Sequence, residues 1–415
     1  MVPYTTFLYF GILAYIAVPT IIIGLIAKKK LSQTWLFAAM VIMLLIQYYV
    51  PEKFIGKNTI EIFWVVVAYG IFQWGIARAL LFLHSSKKDN KLLSKGFYLA
   101  LACAIAPLFI VKLMPVFDMS SPIAFVGISY VTFRVIDVVI NIHDSLITEL
   151  PFASFISFVL FFPTISSGPI DRYQRFHKDF SRERTRGEFV GDLNRAIHKI
   201  FIGFLYEFIL ASLIKTYWLD PSASMSGLSG LVSYMYAYSF YLFFDFAGYS
   251  AFAIGVSYLF GIHVPENFNW AFFSRNIKDF WNRWHMSLSF WFRDHVYSRF
   301  VFYAMKNKWL QNKFVISNIG YLITMGLMGF WHGFTWYYIL YGFYHALLLI
   351  GYDYYSRTMK KRPSKMKLHP KLVHALSIFL TFNAVCFSFL IFSGRLDPSF
   401  KASQGPTGLT STFSK

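Results

Sequence analysis

FLYFGILAYIAVPTIIIGLIA, residues 7–27, carries no charged side chain and is closed by Lys28, Lys29 and Lys30. About 20 such residues in helical form reach across the hydrocarbon core of a bilayer. Met1–Thr6 offers no basic n-region, and the run ends in lysines instead of a small-residue cleavage site, so it reads as a first membrane span and not as a signal peptide. Outward from it, comparable runs recur near 32–50, 60–83, 97–116, 123–142, 190–217, 231–262, 314–333, 334–356 and 372–394. With 56% hydrophobic residues, 14% charged and a mean hydropathy of +0.49, a soluble globule would leave much of this apolar area in water. The reading is an all-α integral membrane protein of about 10–12 transmembrane helices with re-entrant or amphipathic helices. Residues 1–395 form one polytopic domain, and the Ser-, Thr-, Gly- and Pro-rich residues 396–415 read as a disordered tail.

A net charge of +19 could suggest nucleic acid, but the basic residues gather in short loops between apolar runs. Lys28–Lys30, Lys87–Lys95, Arg172–Arg186 and Arg357–Lys371 therefore read as cytoplasmic, in contact with membrane lipid, which places the N-terminus outside. Two stretches fit no span. Phe152–Gly168 lies between two inside loops and contains Pro163, so it reads as entering and returning. Residues 264–308 interleave Arg275, Lys278, Asp279, Arg283, Arg293, Asp294 and Arg299 with aromatics, more charge than a connector needs. Function is expected there.

An ionisable group in an apolar zone is costly, which makes each one a functional candidate. His332 follows the apolar run Phe314–Trp331 and precedes Gly333, which lets another group approach; a neutral imidazole can take a proton from a hydroxyl. It reads as a general base or as a buried histidine held by a carbonyl. Ile277, Phe280, Trp281, Trp284, Leu288 and Trp291 recur at helical spacing, which sets His285 beside an apolar face with Trp281 one turn before and Ser289 one turn after. It could orient a partner or stabilise an oxyanion, or be an interfacial histidine on an amphipathic helix. Asp245, four residues from both Tyr241 and Tyr249, reads as an intramembrane hydrogen-bonding hub more than as an acid. The dense tyrosines Tyr234, Tyr236, Tyr238, Tyr241 and Tyr249 serve either packing and an interfacial belt or the walls of a wide cavity. Cys103 and Cys386 sit in apolar runs, so no disulfide framework or Cys-rich metal site is expected. Gly-x-Ser-x-Gly, Walker, His-Glu-x-x-His and Gly-x-Gly-x-x-Gly patterns are absent. The His84, Asp89 pair has acyltransferase spacing but lies in a lysine-rich loop.

Trp281-Asn282-Arg283-Trp284-His285-Met286-Ser287, the stretch Gly329-Phe330-Trp331-His332-Gly333 and the segment Tyr241-Leu242-Phe243-Phe244-Asp245 together resemble the membrane-bound O-acyltransferase family. Ser167-Gly168-Pro169-Ile170-Asp171-Arg172 is most similar to the bacterial branch that serves teichoic acid D-alanylation. The resemblance implies a ring of helices around a central tunnel, with His332 as base and His285 as second histidine. Asn282, Trp281, Trp284, Ser289, Trp331 and Asp245 would line the substrate path. The donor would be D-alanine held as a thioester on the phosphopantetheine of a small acidic carrier protein in the cytoplasm; no cofactor would be bound by the chain itself. The acceptor would be lipoteichoic acid or an intermediate hydroxyl outside, with a small membrane peptide as a possible relay. Carrier docking needs a basic and apolar face, which Arg293, Val296, Arg299, Val301, Phe302 and Met305 offer, although anionic lipid could hold the same segment. O-acetyl transfer to alginate or peptidoglycan is the alternative within the family. A secondary transporter also fits many spans and buried ionisable groups, but no repeat relates two halves.

Overall fold

The computed structural model describes residues 3–26, 33–48, 59–86, 90–119, 121, 123–359 and 369–400. Among them there are helices and loops but no strand. Each of the ten apolar runs overlaps a helix. Among the described residues seven helices are long and apolar enough to cross a membrane: Phe7–Ile26, Glu61–Ser85, Asn90–Phe117, Arg186–Ser224, Gly227–Leu259, Lys313–His332 and Pro370–Phe392. Gln33–Tyr48 and Ile128–His143 have 16 residues each, which at 1.5 Å per residue falls short of a bilayer core. Trp336–Met359 is long enough, with 24 residues, but its tyrosines, histidine and Asp353 make it less apolar. Lys28–Lys30, Lys87–Asp89, residues 360–368 and residues 401–415 lie outside the described residues.

The chain groups into two compact units. The first takes in residues up to Tyr206 together with Gly248–Pro265; the second takes in Glu207–Ala247 and the residues from Glu266 onward.

In the first unit the stretch expected to enter and return is a helix of eight residues, Phe152–Val159, followed by a single 3-10 turn, Phe162–Thr164. From Ser154 onward it is buried, so the backbone carbonyls freed where the helix stops need partners away from water. The fully buried Arg134 supplies them. Its Nη1 donates to the carbonyls of Phe158 and Val159, both at 3.0 Å, and its Nη2 to that of Thr164 at 2.6 Å. Tyr4 donates to the Pro163 carbonyl at 3.1 Å.

The basic segment after this turn is itself ordered. Tyr173–Ser181 is a helix, and Arg172, Arg175, Arg182 and Arg184 pair with Asp137, Asp171, Glu188 and Asp192. His263 joins two of these acids. Its backbone N–H donates to Asp179 at 2.8 Å, its Nδ1 lies 3.3 Å from the same oxygen and its Nε2 lies 3.0 Å from Asp192. Hydrogen bonding to Asp179, with Asp192 next, pushes the imidazole up to about 9 from its ordinary 6.5, against the opposing effect of burial.

Two outcomes follow. Arg134→Met removes the donors but leaves the buried carbonyls, so unfolding in detergent should lose roughly 3–5 kcal/mol; an unchanged melting curve would show that the turn does not depend on the guanidinium. A histidine raised in the folded state contributes its full stabilisation below its unfolded value and loses it as pH rises through about 9. The melting-temperature gap between the native chain and His263→Gln should therefore be widest near about pH 6 and closed by about pH 10. A gap independent of pH would refute the clamp.

Candidate active site

His332, His285 and Asp245 all fall in the second unit. His332 is the last residue of helix Lys313–His332. That helix meets Trp336–Met359 at very close range, because a Cβ on Gly329 would come within 2.6 Å of the Tyr338 carbonyl oxygen, and one on Gly342 within 2.4 Å of that of Met325. Only glycine permits this approach, and it carries the first helix end against the start of the second. The half-buried imidazole then lies among aromatic rings, with centroids 4.9 Å from Phe392, 5.9 Å from Tyr338 and 6.0 Å from Tyr341.

The stretch from Ile277 to Trp291 departs from the continuous helix that its periodicity predicts. Ile277–Trp281 and Met286–Phe292 are separate helices, and His285 stands at the break between them with φ +41° and ψ +51°. Apolar spacing registers which faces are buried but not a turn within the pattern. Asn267, fully buried, stabilises the break: its Oδ1 accepts from Ser287 Oγ at 2.6 Å and lies 3.3 Å from His285 Nδ1, while its carbonyl accepts from the Met286 N–H at 2.9 Å. The His285 ring is buried edge-on to Phe246, with centroids 4.6 Å apart.

The two histidines belong to one continuous aromatic array. From His332 it runs through Tyr341 to His345 at 4.6 Å, from His345 to Trp281 at 5.0 Å, and through Phe280 to Trp284. Trp284 meets Phe268 at 5.1 Å, and Phe246 completes the path to His285. Trp281, Trp284 and Trp331 are buried in it or beside it. Ser289 spends its hydroxyl on the Trp284 carbonyl at 3.1 Å, and Asn282 is exposed at the end of its helix. Asp245 is buried, with Tyr241 in hydrogen-bonding contact and Glu207 within electrostatic reach. Tyr234 and Tyr238 stack at 5.9 Å, which is packing.

Two residues of this array were not singled out in the sequence. His345, fully buried with Nε2 3.0 Å from Ser388 Oγ, meets the same test of an ionisable group in an apolar run as His332. Asn267 has no such signal, since its partners arise only from the turn. In the 293–306 segment a single π-turn, Arg293–Tyr297, leads into helix Ser298–Lys306. Phe302 and Met305 are exposed, Val296, Arg299 and Val301 are half-buried, and Arg293 is exposed but paired with Asp294 at 2.9 Å. Among the described residues no group of three or more His, Cys, Asp or Glu is arranged to hold a metal.

The model of the membrane-bound O-acyltransferase family matches residues 12–392. The chain is 44% identical to a protein of Bacillus subtilis named teichoic acid D-alanyltransferase, over 95% of this chain and 98% of that one. Proteins of the same name from Lacticaseibacillus rhamnosus and Streptococcus thermophilus are 43% and 45% identical. Those matches cover 82% and 76% of this chain and 90% and 78% of the relatives.

Asn267→Ala keeps the backbone carbonyl that accepts the Met286 N–H but should leave the Ser287 hydroxyl and His285 Nδ1 without the side-chain oxygen they share, costing about 1–3 kcal/mol. A melting curve in detergent measures it, and a native-like curve would show that the turn holds itself.

Proposed function

We propose a reaction for a chain that belongs to the membrane-bound O-acyltransferase family and is an acyltransferase: it transfers D-alanine for the D-alanylation of teichoic acid. The observation that carries this reading is the high identity, over most of the chain, to relatives named for that activity. The donor is D-alanine carried as a thioester on the phosphopantetheine arm of a small acidic carrier protein at the cytoplasmic face of the cell membrane. The acceptor is a hydroxyl of teichoic acid, or of an intermediate such as a small membrane peptide, presented from the other side. The N-terminus faces outside in this arrangement.

His332 serves as the general base. As its imidazole takes the proton from the acceptor hydroxyl, the oxygen attacks the thioester carbonyl. Collapse of the tetrahedral intermediate forms the ester, breaks the carbon–sulfur bond and sends the thiolate away with the arm, to which the imidazolium can return its proton. Ring packing at the helix end supports this role, because it fixes the imidazole by shape. His285, fixed at a helix break through Asn267, is suited to orienting the donor or polarising its carbonyl. The long arm lets the carrier remain on the membrane surface, where the exposed Phe302 and Met305 beside Arg299 provide an apolar and basic landing face.

Vesicles containing the native chain or His332→Ala, supplied with carrier loaded with radiolabelled D-alanine, test the assignment. Label should reach the membrane acceptor with the native chain and fall by about 100-fold or more in the variant. Equal transfer by both would remove His332 from the chemistry. No transfer by the native chain, although the carrier binds, would favour O-acetyl transfer instead.

A further inference from the structure

The first unit contains a cavity of about 500 Å³ between the Arg-rich segment and the turn at His263. It plays no part in the proposed transfer, and its wall specifies the charge of what it can hold. The wall carries three carboxylates, and each is already engaged. Asp192 holds Arg184 at 3.2 Å on one oxygen and His263 at 3.0 Å on the other. Asp179 accepts the His263 N–H, and Glu188 takes Arg182 on one oxygen and the Thr185 N–H, at 2.9 Å, on the other. A bound cation would have to displace these donors.

Among the described residues Arg195 pairs only with the already engaged Asp192, at 3.6 Å, and its side chain is 63% exposed. With Arg182, Arg184 and His263 already occupying the three carboxylates, Arg195 is the wall cation left most open to a group from outside. Room for a ligand is also built in. Gly187 and Gly191 follow one another by a helical turn on the wall, ahead of Arg195, and nothing lies within 4 Å of a Cβ placed on either. Leu36, Phe180 and Phe260 supply an apolar side to the same space.

The complement of such a wall is an anion attached to an apolar body. Guanidinium favours phosphate oxygens, which its N–H fork can meet in pairs. The cavity also adjoins the polar start of the long apolar run Arg186–Ser224, at an arginine-rich end of the kind that faces the cytoplasmic leaflet, where anionic lipid concentrates. We propose that this cavity binds the phosphodiester headgroup of an anionic phospholipid, with Arg195 as the phosphate-binding side chain and Gly187 and Gly191 giving it access.

The full-length chain in neutral detergent, melted with added phosphatidylglycerol, phosphatidylcholine or inorganic phosphate, tests the proposal. Phosphatidylglycerol should raise the melting temperature by about 3–5 °C, as ligand linkage requires for a site well above half-saturation, and phosphatidylcholine should not. Arg195→Gln, at an exposed position, should melt like the native chain without lipid and lose more than half of the shift. Gly191→Leu, which fills the space, should lose it as well. Equal shifts with the two lipids, or an undiminished phosphatidylglycerol shift in both variants, would overturn the site. A full shift with inorganic phosphate alone would assign a soluble anion and overturn the lipid.

Discussion

Backbone polar groups taken out of water must be paired within the protein, and this constraint governs two places where the chain abandons regular helix among buried residues. At residues 158–164 the partners are Arg134 and Tyr4. At residues 282–287 the partners are Asn267, which uses both its side-chain oxygen and its own carbonyl, and the Asn269 N–H, which donates to the Arg283 carbonyl. Each break is therefore bound to a distant polar residue that would be costly in the same setting without it. The irregular segments and the buried polar residues explain one another.

The same logic limits what the sequence could disclose. The ten apolar runs were legible because span length follows from composition alone, and each of them overlaps a helix. The short Phe152–Val159 helix was legible as an exception because Pro163 and Gly168 interrupt its run. The break at His285 was not legible. The residues on either side keep their helical spacing because both short helices bury one face against the same aromatic core, and a hydrophobic period does not record the left-handed residue between them. His345 was readable and passed over, whereas Asn267 becomes meaningful only once the turn places it 18 residues away in sequence from the imidazole it holds.

Arginine density misleads in a related way. The segment from Arg172 to Arg186 reads as a free positive patch that orients the chain, yet four of its arginines are committed to named carboxylates. Charge available to a ligand is set by what remains after such pairing. By that measure Arg195, outside the segment, matters more than its neighbours.

Three histidines show how surroundings assign chemistry to one residue type. His263 bridges two carboxylates, which favour its cationic form and make it a structural fastener, unsuited to receiving a proton. His345 is enclosed by rings with Ser388 as its polar neighbour, an arrangement that holds Tyr341 and Trp281 in place. His332 ends a helix that glycine brings hard against its neighbour, and Phe392, Tyr338 and Tyr341 surround it. Ring packing restrains an imidazole by shape, so its orientation is set by the residues around it. A base in the proposed transfer must be positioned before it can act, and of the three settings this one places the imidazole at a helix end without the paired carboxylates that hold His263.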